Sequence, residues 1–127
     1  MRAMSQLSKS IIILIAVLLV FQLSCPAAQP ANKMHNLLDE GVACFNAEKY
    51  WDAQKIFENI NASAPADNPL LTTSAMLLVK TNYRLGEVRK SEALARAFLT
   101  AYPDSRYVGE VKITLAEVFL SQSRYPE

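Results

Sequence analysis

Two stretches of this 127-residue chain repeat one another at a spacing of 38 residues. Gly41, the run Tyr50-Trp51-Asp52-Ala53, Phe57 and Pro65 in the first correspond to Val79, Val88-Arg89-Lys90-Ser91, Ala95 and Pro103 in the second. A third, partial copy follows at 37 residues, where Ala116 answers Val79 and Tyr125 answers Val88. Periods of roughly 20–50 residues mark supersecondary units that cannot bury an apolar face alone and must stack on their neighbours. Stacked helical hairpins generally bind rather than catalyse. The expected functional element is therefore a surface.

Apolar periodicity fills this frame with five helices. The first is expected over 34–47, where Met34, Leu37, Leu38, Gly41, Val42 and Phe45 share one face. A second over 50–62 carries Tyr50, Ala53, Ile56, Phe57 and Ile60 inward, and Pro65 ends it. Asn68 is placed to cap a third helix over 69–85, with Pro69 at the first helical position, where its missing N–H costs nothing. Gly86 stands where a helix end takes a left-handed residue. A fourth helix over 87–101 stops at Pro103-Asp104-Ser105, and either Asp104 or Ser105 can cap a fifth over 106–121. No alternating runs joined by Asn-Gly or Asp-Gly turns signal strands. The fold class expected is all-α, a stack of antiparallel helical hairpins of about 2.5 repeats over 34–127.

In front of the repeats stands an export signal, residues 1–27. Arg2 and Lys9 form a positive n-region, residues 11–21 are unbroken apolar sequence, and Ser24-Cys25-Pro26-Ala27-Ala28 supplies small residues for a signal peptidase. The apolar run is shorter than the roughly 20 residues that a membrane-crossing helix needs. Gln22-Leu23-Ser24-Cys25 resembles a bacterial lipobox, with Gln22 departing from the aliphatic residue usual three before the cysteine. Cys25 is thus a lipidation candidate, and cleavage near Ala27 or Ala28 is the alternative. Residues 28–33 read as a polar spacer. The exported product is expected in the periplasm or attached to a membrane as a lipoprotein, with membrane contact only through an uncleaved signal anchor or a lipid on Cys25. In either case Cys44 is left without a disulfide partner, as a small buried hydrophobe.

Removing Arg2 and Lys9 with the leader leaves 11 basic against 12 acidic residues, a net charge of −1. That balance gives no basic field for nucleic acid. Chemistry is equally scarce. The single histidine, His35, cannot build a multi-histidine metal site, and the three glycines are too scattered for a phosphate loop. No enzyme activity, metal or cofactor is expected. Trp51 falls at a helix start beside the hairpin turn, where packing is the expected role.

The residues so far resemble a tetratricopeptide repeat, whose pattern is W-x₂-L-G-x₂-Y, then A-x₃-F, then P. Leu37, Gly41, Cys44, Ala53, Phe57 and Pro65 stand at those positions in the first repeat. Leu78 and Pro103 fit in the second, while Val79, Asn82, Ser91 and Ala95 depart. Leu115, Ala116 and Phe119 open the third. Tyr102-Pro103-Asp104-Ser105-Arg106-Tyr107 also resembles junctions in bacterial envelope repeat proteins, among them BamD-like outer-membrane assembly lipoproteins and Tol-Pal-associated coordinators.

The resemblance implies a concave groove lined by the first helix of each hairpin. Its candidates are His35, Leu38, Val42, Phe45 and Asn46, then Thr73, Met76, Lys80, Tyr83 and Arg84, then Ile113, Glu117 and Leu120. Apolar residues beside Lys80 and Arg84 suit a protein or peptide partner with aliphatic or aromatic side chains and a carboxylate. The function implied is a non-catalytic protein-binding scaffold of the envelope. The alternative is an accessory repeat module of a longer envelope protein whose activity lies beyond residue 127. Because the third repeat lacks its second helix, either the chain continues or the fifth helix is covered by self-association.

Overall fold

The computed structural model describes residues 30–123. The leader, Cys25 and Tyr125 lie outside the described residues. Five helices follow in order: α1 (Pro30–Asn46), α2 (Tyr50–Ser63), α3 (Leu70–Arg84), α4 (Val88–Ala101) and α5 (Val108–Ser121). No strand occurs among the described residues. Each helix packs on the next through a short connector, which makes neighbours antiparallel. The odd helices also approach closely along the stack, α1 on α3 and α3 on α5, whereas the α2 and α4 backbones stand farther apart and are bridged by the Lys90–Glu58 ion pair. The result is a two-layer stack of hairpins with α1, α3 and α5 as its close-set layer.

The hairpin turns explain why the repeat keeps its register. Among the described residues, Glu48 (φ 59°), Gly86 (φ 76°) and Ser123 (φ 52°) are in left-handed conformation, and they fall 38 and 37 residues apart. In the first turn the Glu48 N–H donates to the Phe45 carbonyl at 3.1 Å and the Lys49 N–H to Cys44 at 2.9 Å. In the second, Gly86 donates to Tyr83 at 3.0 Å and Glu87 to Asn82 at 2.9 Å. These are paired Schellman bonds, which satisfy carbonyls that a helix end otherwise leaves open. The third turn repeats the first bond, Ser123 to Leu120 at 3.1 Å.

Only one of the three positions has glycine. A left-handed backbone costs another L-residue about 1–2 kcal/mol. Glu48→Gly is therefore expected to stabilise the chain by about 0.5–1 kcal/mol, and Gly86→Ala to destabilise it by about 1 kcal/mol. Urea midpoints read both; equal midpoints for all three chains would refute the turn argument.

Two boundaries differ from expectation by more than one residue. The first helix already takes in Pro30, inside the supposed spacer. The fifth begins at Val108 rather than 106, because two turns precede it. Ser105 donates its N–H to Tyr102 O at 3.1 Å, and Val108 donates to Ser105 O at 3.1 Å. Neither Asp104 nor Ser105 caps the helix itself: the N-cap position is Tyr107, without a side-chain cap, and Ser105 Oγ accepts the Tyr107 N–H at 3.2 Å within the preceding turn. Asn68 Oδ1 accepts the Leu70 N–H at 2.9 Å, with Pro69 in helical conformation between them.

The core has two centres, one per hairpin. Leu38, Ala53, Phe57, Ile60 and Leu78 form the first, and Met76, Val79, Ala95, Phe98 and Val111 the second. In the first, Gly41 lets the helices approach so closely that a Cβ there would sit 2.6 Å from Phe57 Cε1. In the second, Val79 and Ala95 occupy the matching positions and are both buried. The bulk has moved from one helix to the other. The second repeat departs from the pattern as a pair, so the space between its helices stays filled.

Between the hairpins runs a polar seam. Gln54 Nε2 donates to Asn82 Oδ1 at 2.8 Å and to Glu87 Oε2 at 2.9 Å. Within the second hairpin, Asn82 Nδ2 donates to Leu78 O at 2.7 Å and Ser91 Oγ to Val79 O at 2.9 Å. Buried polar groups persist only when paired like this. Cys44, expected to be buried, is half-buried and free. Trp51 departs from its expected packing role, being 60% exposed; its neighbour Tyr50 packs instead, edge-on to Phe45 at 5.4 Å.

The ends of the stack differ. Where α3 sets Leu71, Ser74, Leu77, Leu78 and Thr81 toward the preceding hairpin, α1 carries Lys33, Asn36, Asp39, Glu40 and Ala43, all exposed. That end is closed by polar residues. At the other end, Leu38 and Met76 are buried while their counterpart Ile113 is 64% exposed. Gly41 and Val79 are likewise buried, and their counterpart Ala116 is exposed.

Candidate functional site: a cleft across the odd helices

A recess of about 220 Å³ opens on the layer formed by α1, α3 and α5. Phe45 enters it from α1, Lys80, Tyr83 and Arg84 from α3, and Glu110, Ile113, Thr114 and Glu117 from α5. Helical spacing explains the set, since Lys80, Tyr83 and Arg84 lie one turn apart, as do Glu110, Ile113 or Thr114, and Glu117.

Six of the thirteen groove candidates therefore meet in one recess: Phe45, Lys80, Tyr83, Arg84, Ile113 and Glu117. Two candidates are corrected. Leu38 and Met76 are only 6% and 5% exposed, because contact with the next odd helix takes them into the core. Their side chains cannot meet a partner. Thr73 lies toward the other end of α3, its hydroxyl 3.1 Å from Tyr107 Oη. His35 is exposed, 3.7 Å from Asp39 one turn on. Val42, Asn46 and Leu120 do not line the recess.

The recess includes Glu110 and Thr114, which sequence reasoning missed. Glu110 was legible, because it stands 37 residues after Thr73 and 75 after His35, in the same repeat position. Thr114 is buried, with its hydroxyl on Glu110 O at 3.2 Å.

Electrostatics sort the two cations. Lys80 Nζ is ion-paired with Glu110 across α3 and α5. Its charge is thus engaged within the fold. Arg84 is exposed and has no ion-pair partner among the described residues, so it is the cation left for a ligand. Phe45, Tyr83 and Ile113 supply apolar surface beside it. The arrangement suits an anchor side chain with a neighbouring carboxylate.

Two groups outside the recess have displaced pKa values. A hydrogen bond to Glu58 holds the Lys90 ammonium above its ordinary value despite partial desolvation, and the charges of Glu58 and Glu87 add to it. Hydrogen bonds from Thr73 and then Arg106 hold the Tyr107 phenol below its ordinary value. Both belong to contacts between repeats. Among the described residues, no three His, Cys, Asp or Glu side chains could hold a metal, and no helix is long and apolar enough to cross a membrane.

A wider hollow of about 430 Å³ separates α2 from α4 on the other layer. Its lining is mostly apolar, with alanines beside core residues Leu71, Leu78 and Phe98, and it gathers no charged group. The recess on the odd helices has the more discriminating chemistry. No family model, curated protein or solved structure matches the chain.

Proposed function

We propose that this chain is a non-catalytic scaffold of the tetratricopeptide-repeat kind, exported to the bacterial envelope, that holds partner polypeptides against its odd helices. The observation that carries the reading is the recess itself. It draws side chains from all three odd helices, combining aromatic and aliphatic surface with Arg84, which has no ion-pair partner among the described residues. A recess of this size accepts one or two anchor side chains rather than a folded domain, which favours an extended or helical peptide segment. Its closed polar end at α1 and its repeated turns are what a helical-repeat array requires. Export is supported by the leader sequence alone.

The test is to pan a displayed random-peptide library on the full chain. Enriched peptides should place an aliphatic or aromatic residue near an acidic one. Tyr83→Ala combined with Arg84→Glu should remove that enrichment, since it deletes an apolar wall and reverses the free charge. Undiminished enrichment on the double variant would refute the site.

A further inference from the structure

From the outer face of α5 we infer that the chain forms a two-fold dimer, with α5 running parallel to its copy. Gly109, Ile113, Ala116 and Leu120 are all exposed and follow one another at intervals of four, three and four residues. That is the a/d spacing of a coiled-coil seam, with Ile113 and Leu120 at a positions and Gly109 and Ala116 at d. Ile113 and Leu120 are 64% and 59% exposed, so much apolar surface meets water in the lone chain. Earlier repeats bury the positions of Ile113 and Ala116, as Leu38 and Met76 or Gly41 and Val79.

Charge identifies the occupant as a second copy. Lys112 and Glu117 flank the seam at g and e positions, both exposed and without an ion-pair partner among the described residues. In a parallel pair, a g residue meets the e residue five positions on in the other helix. Lys112 and Glu117 are five apart. Two-fold symmetry thus forms the Lys112–Glu117 pair twice. An antiparallel pair would instead set Glu117 near Glu110 of the copy. Head-to-tail growth is opposed by the other end of the stack, where Lys33, Asn36, Asp39 and Glu40 offer no apolar patch. A two-fold contact closes on itself after one partner. This inference does not rest on peptide binding, since the seam needs no groove ligand, although Ile113 and Glu117 also line the recess and the dimer would cover that part of its wall.

Sedimentation equilibrium of the full chain in density-matched detergent micelles tests it. Wild type should pass from monomer to dimer with rising concentration. Lys112→Glu and Glu117→Lys should each weaken the dimer roughly five- to tenfold, by turning two attractions into repulsions. The double variant exchanges the charges and should recover wild-type affinity within about twofold. Both residues are exposed, so the fold tolerates each change. A wild-type monomer at every concentration would overturn the inference, as would a double variant no tighter than the single ones.

Discussion

Phe57→Ala should remove about 3–5 kcal/mol of stability, the largest loss expected from any single change in this chain. Phe57 is fully buried and belongs to the cluster that joins α1, α2 and α3. Its ring rests against the Cα of Gly41, and its carbonyl accepts the Ser74 hydroxyl of α3 at 3.3 Å. Truncation therefore opens a cavity where three helices converge, and the backbone held by the Ser74 contact resists collapse into it. Domains of this size have about 5–15 kcal/mol of total stability, so the loss consumes much of it. Urea unfolding of the full chain followed by circular dichroism measures the effect. A loss under about 1 kcal/mol would mean that this ring is not the keystone of the first hairpin.

Most of the fold could be read from the chain because its signals are local. Apolar spacing and the Pro65, Gly86 and Pro103 punctuation place all five helices. What could not be read was contact between elements distant in sequence. Leu38 and Met76 look like groove residues on a single helical wheel, yet the next odd helix covers both. Lys80 looks like a free cation until Glu110, 30 residues on, is brought to it. Trp51 has the composition of a core residue, but Tyr50 takes the packing position beside Phe45. The left-handed turns at Glu48 and Ser123 carried no glycine to announce them. Only the 38- and 37-residue offsets from Gly86 pointed there.

The second-repeat departures gain meaning from the same offsets, and they make the final prediction specific. Gly41 with Phe57 and Val79 with Ala95 are two solutions to one packing problem, large side chain on the second helix or on the first. Gly41→Val alone should be destabilising by about 1–3 kcal/mol or more, because even its Cβ would lie 2.6 Å from Phe57 Cε1 and 2.9 Å from Ile56 Cγ2. Phe57→Ala alone leaves the cavity described above. Together they install the second repeat's pair in the first, where the valine fills space the ring has left and the clash with that ring disappears. Ile56 is half-buried and its methyl can yield. The double variant should thus be more stable than Phe57→Ala alone, with a favourable coupling of about 1–3 kcal/mol in a double-mutant cycle. Additive losses would show that the two positions do not share one volume, and that the 38-residue correspondence describes the backbone without describing its packing.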